Sequence, residues 1–471
     1  MSGPHPQGCG PLRVAGHARI GGMPADDAIP HALDYADRWL AYRRWRLRIP
    51  GVQAAVRIGG ELVLDTAHGV ADEATGEALT SAHRFRIASH SKALAAIVAM
   101  RLVDEGRLRL DDEAQQHAPV LRGTDAGRLL VRELLSHGGG AVRDGDDVGF
   151  WHLAGPFPDH DGLLAIARSG VERIPASVEF KYSNVGFGLL GLVVEGATGV
   201  PYADAFARLL AEPLGLAATA ADLDDGDSPL VTGHSALHSA TERTALGSPA
   251  ARALAAATGA VSTAAELTDA LRTVVDADDR LLSAAARRRM RQQHWSTTGR
   301  DGGAGGYGLG LMLREVDGRT WAGHGGAWTG QATRTLVDAE RDVVVSVLTN
   351  AIDGPAEELA VGLARLVHAA LEGTDAPVER ARSFEGSFAS VWGRVDVVEL
   401  GGRLLGVSPT AADPMAAVDE LEPLDDDRVR IRAATGMGSG HETAVAERGA
   451  DGRVARWRGA WRMDAVEAVP A

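Results

Sequence analysis

The chain has 471 residues, of which 45% are hydrophobic and 24% charged, with a formal net charge of −15. That length buries a large core without staples and points to more than one domain. The acidic balance argues against a nucleic-acid partner, whose binder needs a basic footprint. A single cysteine, Cys9, excludes an intrachain disulfide and any metal site with two Cys ligands.

Residues 1–29 are polar and rich in Gly, Pro and Ala, which reads as a disordered extension; Met23 is an alternative start. The extension has no apolar stretch of signal-peptide length. No run of about 18 apolar residues occurs anywhere. The expectation is a cytoplasmic protein with no membrane partner.

A helix is expected over Asp34–Arg48, ahead of Pro50. A β-hairpin follows, with arms Val52–Ile58 and Glu61–Thr66 about Gly59-Gly60. Phe85–Ala88 leads into a helix at Ser89–Glu105, apolar on every side from Ala93 to Met100 and therefore buried. Leu129–Leu135, Leu163–Ser169 and Val185–Ala197 read as helices, Asp222–Ala240 as a loop, and Ala250–Leu281 as helical. Strands are expected at Leu309–Arg314, Thr320–Ala322, Thr333–Asp338 and the valine-rich Val343–Leu348, the last a central strand. Ala356–Leu371 closes this part as a helix. After a linker at Gly373–Arg380, short strands alternate with turn signals such as Gly401-Gly402 and Asp451-Gly452. The expected domains are an extension (1–29), a main domain (30–372) and a small all-β domain (380–471).

Three short motifs carry chemistry. In Ser89-His90-Ser91-Lys92, Ser89 and Lys92 stand at i and i+3 and share a helix face. A serine hydroxyl needs a base to become a nucleophile. Arginine stays protonated, whereas a buried lysine can be brought toward pH 7–8, at a cost of about 4 kcal/mol. The chain has only two lysines, Lys92 and Lys181, among its 48 basic residues, so a lysine here stands where arginine does not serve. Lys181 reads as an exposed neighbour. Tyr182-Ser183-Asn184 is either a helix start with Asn184 as N-cap or a proton relay beside the nucleophile. Gly323-His324-Gly325-Gly326-Ala327 is either a glycine-rich strand edge or a strand whose N–H groups face substrate, each such donor contributing about 3–4 kcal/mol to an oxyanion.

The order Ser-x-x-Lys, Tyr-x-Asn, His-x-Gly, with Leu134-Leu135-Ser136-His137-Gly138-Gly139-Gly140 and Tyr307-Gly308-Leu309-Gly310 between, resembles the serine β-lactamase-like superfamily of class C β-lactamases, DD-peptidases, D-aminopeptidases and esterases. The resemblance runs from about Ile49 to Leu371. It implies an α/β (α+β) fold, with an antiparallel sheet flanked by helices, a mostly helical subdomain and a small C-terminal β-barrel-like domain. It implies Ser89 as nucleophile, Lys92 and Tyr182 sharing proton transfer with Tyr182 activating the deacylating water, and Asn184, His324 and Gly326 orienting substrate. Backbone N–H groups of Ser89 and Ala327 would form the oxyanion hole. The implied substrate is a small ester, amide or short peptide, with no cofactor and no metal. Two departures stand out. His324 replaces the lysine of many penicillin-binding enzymes and would titrate near pH 6.5 if free. Pro175-Ala176 replaces Pro-Gly, so the turn before Tyr182 is expected to differ locally.

Three other readings compete. Gly233-His234-Ser235-Ala236-Leu237 approaches the nucleophile elbow of a Ser-His-Asp hydrolase, but Leu237 fills the second Gly position. β-Lactamase or D-Ala-D-Ala carboxypeptidase activity is an alternative within the resemblance. A silent scaffold with the same fold is an alternative outside it. The C-terminal domain is expected to border the active-site cleft.

Overall fold

The computed structural model describes residues 27–223, 229–238, 240–298, 303–373, 378–433 and 438–469. Most of the expected N-terminal extension lies outside the described residues, as do parts of the expected 222–240 loop and 373–380 linker.

Helix α1 (Ala28–Arg46) begins six residues before the expected start. Pro30 sits in its first turn, where a missing N–H costs nothing, and Ile29, Ala32 and Leu33 are buried. The hairpin forms as expected from β1 (Gly51–Ile58) and β2 (Glu61–Asp72). Seven further strands complete one antiparallel sheet: β3 (Glu77–Ala78), β4 (Trp295–Thr298), β5 (Ala304–Tyr307), β6 (Met312–Val316), β7 (Arg319–Trp328), β8 (Gln331–Asp338) and β9 (Val343–Thr349). Their order is β3-β2-β1-β9-β8-β7-β6-β5-β4. The N-terminal hairpin thus joins the C-terminal strands through β1 and β9, with Val56 opposite Val345.

All seven residues of β9 are buried, because both faces of the sheet are covered. Side chains alternate along a strand. Val343, Val345 and Val347 enter the core shared with α1 and α6 (Ala356–Leu371), while Val344 and Leu348 enter the core shared with α2 (His90–Asp104) and α5 (Ala264–Arg272). Helix α2 is as buried as its apolar run required: every residue from His90 to Met100 is buried. Between β3 and β4 the chain builds a mostly helical part that includes α3 (Val131–Ser136) and α4 (Asn184–Thr198). The architecture is the one the resemblance implied.

The alanine-rich stretch 250–281 is not one helical run. Helical turns over 252–259 give way to a short strand, Val261–Ser262, before α5 begins. That strand pairs with Phe85–Arg86, just ahead of Ser89. Tertiary pairing therefore overrides local helix propensity here.

Eight strands, from Gly386–Ser390 to Met463–Ala465, close into a barrel around Phe384, Phe388, Leu404 and Trp457. The barrel docks behind the sheet, not at the α2 face. Tyr35 Oη of α1 donates to Asp396 Oδ2 at 3.3 Å, Arg43 of α1 donates to the Thr410 carbonyl, and Arg365 of α6 pairs with Asp413. The expectation that this part borders the cleft is therefore corrected. The exposed apolar stripes of α1 and α6 needed cover, and the barrel supplies it. No single described helix is long and apolar enough to cross a membrane.

Candidate active site

Ser89 stands at the N-terminus of α2, after a sharp turn in which Ala88 holds φ 48°. A non-glycine residue in that region is strained, and the strain sits immediately before Ser89. Ser91 Oγ donates to the Ala88 carbonyl at 2.6 Å and accepts from Ala260 N–H at 2.9 Å, which holds the turn. His90 points the other way, with its ring nitrogens 2.9 Å and 3.0 Å from the hydroxyls of Thr333 and Thr335 on β8. Burial pushes His90 down to about 3, so it is neutral.

Lys92 lies one turn into α2 and is fully buried. Its Nζ is 3.1 Å from Ser89 Oγ, 2.6 Å from Asn184 Oδ1 and 2.8 Å from the Ala257 carbonyl. Burial holds the amine well below the usual lysine range; the Asp144 carboxylate opposes that shift and Arg143 adds to it. Tyr182 donates its hydroxyl to Ser89 Oγ at 2.9 Å. Burial raises the phenol above its usual value, so Tyr182 rests protonated. Ser183, rather than Asn184, caps α4, accepting from Gly186 N–H at 2.8 Å. Asn184 is thereby the first helical residue and is free to turn its amide toward Lys92.

His137 ends α3 with φ 60° and lays its ring 4.2 Å from that of Tyr182. It accepts from Ser183 N–H at 3.1 Å, and burial and the neighbouring Lys92 and His324 keep it neutral. At the Pro175-Ala176 departure, Ser177 adopts φ 61° and donates to Glu133 Oε1 at 2.7 Å. Lys181 is half-buried, and its N–H donates to the His137 carbonyl.

On β7, His324 is 1% exposed. Its Nδ1 is 2.6 Å from the Gly325 carbonyl and its Nε2 is 3.2 Å from the Tyr307 hydroxyl. Both nitrogens are thus engaged within the protein. Burial, with Lys92 and His90 nearby, holds the ring well below pH 6.5. The expectation of a histidine that titrates near neutrality is corrected: His324 brings no positive charge at pH 7. Its contact with Tyr307 gives the Tyr-Gly-Leu-Gly segment a purpose the sequence did not reveal.

Strand β7 pairs with β8 through Trp328 but with β6 only as far as Gly323, so one edge is open from His324 onward. A two-residue turn joins Trp328 to Gln331, and residues flanking such a turn exchange hydrogen bonds with each other. By alternation, the next residue, Ala327, directs its N–H to the open edge. A Cβ on Gly326 would lie 2.1 Å from the Ile87 carbonyl, so glycine alone lets β7 approach the turn that carries Ser89. The Ser89 N–H itself has no hydrogen-bond partner among the described residues.

Two groups at the site escaped sequence reasoning. One is the Ala257 carbonyl, which belongs to the backbone. The other is Asp144, whose Oδ1 accepts from Asn184 Nδ2 at 2.6 Å and from Trp151 Nε1 at 3.0 Å. No periodicity links residue 144 to residue 184. Elsewhere, Ser235 Oγ accepts from Thr244 N–H at 2.9 Å, and the preceding His234 turns away, with Nδ1 2.9 Å from the Asn350 carbonyl. Among the described residues no histidine hydrogen-bonds that serine, so the geometry gives the nucleophile-elbow reading no support. Among the described residues, no group of three or more His, Cys, Asp or Glu is placed to hold a metal ion.

Comparison with known proteins agrees with this fold. Penicillin-binding protein 4 of Amycolatopsis lactamdurans is 32% identical over 335 residues, spanning 64% of this chain and 81% of that protein. Esterase EstB of Burkholderia gladioli is 32% identical over 190 residues, 36% of this chain and 46% of the esterase. The crystal structure of SurE superposes with a TM-score of 0.62 at 26% identity, covering 93% of this chain and 100% of SurE, barrel included. The Beta-lactamase family model matches residues 36–370. With that match over most of its length, the chain belongs to the β-lactamase family of serine hydrolases.

Proposed function

We propose that this protein hydrolyses a small ester, amide or short peptide through an acyl-enzyme on Ser89. One observation carries the reading: Ser89 Oγ lies between Lys92 Nζ at 3.1 Å and the Tyr182 hydroxyl at 2.9 Å. A neutral amine has two N–H donors and one lone pair. The Asn184 Oδ1 and Ala257 carbonyl oxygens take both donors. The lone pair is then left for the Ser89 hydroxyl, and Lys92 is the resting base.

In this reading Lys92 takes the Ser89 proton as Oγ adds to the substrate carbonyl. The Ser89 and Ala327 N–H groups receive the developing oxyanion. Tyr182, a protonated phenol at rest, gives its proton to the departing oxygen or nitrogen, which leaves a tyrosinate beside the protonated Lys92. In deacylation, water takes the leaving group's place and gives a proton to the tyrosinate as it adds to the acyl carbon, and Lys92 returns its proton to Ser89 Oγ as that oxygen is expelled. Asn184 holds Lys92 and the substrate carbonyl side of the cleft. His324, neutral and tied to Tyr307, supports the β7 edge rather than pairing with a substrate carboxylate. This favours ester and amide substrates over β-lactams and D-Ala-D-Ala peptides, both of which carry that carboxylate.

The test is a panel of p-nitrophenyl esters, D-aminoacyl anilides and a chromogenic cephalosporin, run with wild type and Ser89→Ala. Ester or anilide turnover that vanishes in Ser89→Ala supports the reading. Turnover that survives in Ser89→Ala, or none on the whole panel by folded wild type, counts against it.

A further inference from the structure

Asp144 is a buried carboxylate with three donors around it. Oδ1 accepts from Asn184 Nδ2 at 2.6 Å and Trp151 Nε1 at 3.0 Å, and Oδ2 pairs with Arg143 Nε at 3.1 Å. Its side chain is 8% exposed, whereas that of Arg143 is 65% exposed at the mouth of the site. An asparagine amide has two ends of nearly equal shape, and only one of them accepts. Lys92 needs the accepting end. A carboxylate accepts and does not donate, so it can receive only the NH2 end of Asn184. The Oδ1 end then falls on Lys92 Nζ, at 2.6 Å. The flipped amide would set oxygen against carboxylate, and its NH2 could bond the amine only by taking the lone pair that the Ser89 hydroxyl needs.

We propose that Asp144 is a positioning residue for Ser89: it fixes the Asn184 amide with Oδ1 toward Lys92, which leaves the lysine lone pair on the Ser89 hydroxyl. The inference rests on the serine-hydrolase reading above and extends it by one residue, reached through Asn184 rather than by contact with substrate. A carboxylate, unlike an amide or a hydroxyl, permits one orientation of Asn184. Trp151 and Arg143 hold it in place from the two remaining directions.

The same charge acts on Lys92. Asp144 favours the ammonium, against the larger effect of burial. Among the described residues, the other titratable or charged groups around Lys92 are the Arg143 guanidinium and Tyr182, Tyr307, His137, His324 and His90, which burial holds neutral. Removing the Asp144 charge lowers the proton affinity of Lys92 further, so the base becomes free at lower pH.

The experiment measures the second-order rate of Ser89 labelling by a fluorophosphonate between pH 5 and 10. It compares wild type, Asp144→Asn, Asp144→Ala and Trp151→Phe, each checked for folding by near-ultraviolet circular dichroism. Asp144→Asn is expected to move the acidic limb down by about one pH unit. Asp144→Ala, which frees the amide, is expected to lower the plateau rate about 10- to 100-fold. Trp151→Phe removes another donor from the same oxygen and is expected to keep the wild-type limb. Folded Asp144 variants with an unchanged limb and plateau would overturn the proposal. So would a Trp151→Phe limb that moves as far as that of Asp144→Asn, since the effect would then belong to loop packing. A wild type that labels elsewhere than Ser89 would instead overturn the serine-hydrolase reading itself, and this inference with it.

Discussion

Lys92 Nζ stands 2.6 Å from Asn184 Oδ1, and this contact joins the first turn of α2 to the first turn of α4. The two residues are 92 positions apart and both are buried. A charged lysine without a carboxylate partner in direct contact is costly there, so the pocket favours the neutral amine. That preference leads to the first prediction. Lys92→Arg places a permanent cation in the same space and removes the base. Ester turnover is expected to fall by about 10²- to 10⁴-fold, the usual contribution of a general base. Steady-state kinetics on the wild type's best ester checks this, and a fall of less than tenfold would contradict it.

Tyr182→Phe deletes the hydroxyl 2.9 Å from Ser89 Oγ and keeps the ring that packs on His137. The expected result is a kcat lowered by about 10²-fold or more, with KM little changed, because the lost group acts on the reacting atoms. A variant that changes KM alone would assign Tyr182 to binding.

Much of this site is legible in the sequence, and the reason is local geometry. Ser89 and Lys92 share a helix face through a fixed i, i+3 spacing, and Tyr182 and Asn184 flank a capping serine. His324 is legible as a position but not in its chemistry, because burial and the Tyr307 contact determine its charge. Asp144 and the Ala257 carbonyl reach the site through the chain's three-dimensional path alone. The strand Val261–Ser262 is hidden by alanine-rich helical spacing, since its partner Phe85–Arg86 lies far back in the chain. The barrel's place behind α1 and α6 is equally unreadable, because an amphipathic helix does not say what covers it.

His90 links pH to stability. Folded His90 binds a proton only near pH 3, whereas an unfolded histidine does so near 6.5. Between those values the unfolded chain holds the extra proton, so stability falls as pH drops from about 6.5 toward 3 and is flat above 6.5. The full effect is on the order of 5 kcal/mol. Buried His137 and His324 act in the same direction. Denaturant unfolding of wild type and His90→Gln at pH 5, 6 and 7.5 measures it. A wild-type slope no steeper than that of His90→Gln would contradict the assignment.

Gly326→Ala puts a methyl 2.1 Å from the Ile87 carbonyl. The Ile87 backbone on one side and the Thr333 hydroxyl on the other leave little room to relax, and a loss of about 1–3 kcal/mol of stability is expected. The displacement also moves the Ala327 N–H from the Ser89 turn, so labelling of Ser89 is expected to slow in protein that remains folded. Thermal melting and fluorophosphonate labelling read the two effects separately. An unchanged melting temperature together with an unchanged labelling rate would show that this close approach is dispensable.

The central claim is that Ser89 is the nucleophile. Its most direct test is intact-mass analysis of wild type, Ser89→Ala and Ser235→Ala after treatment with a fluorophosphonate, with peptide mapping of the adduct. One adduct on Ser89, present in wild type and Ser235→Ala and absent from Ser89→Ala, is the predicted result. An adduct that persists in Ser89→Ala, or folded wild type that takes no adduct, would contradict it.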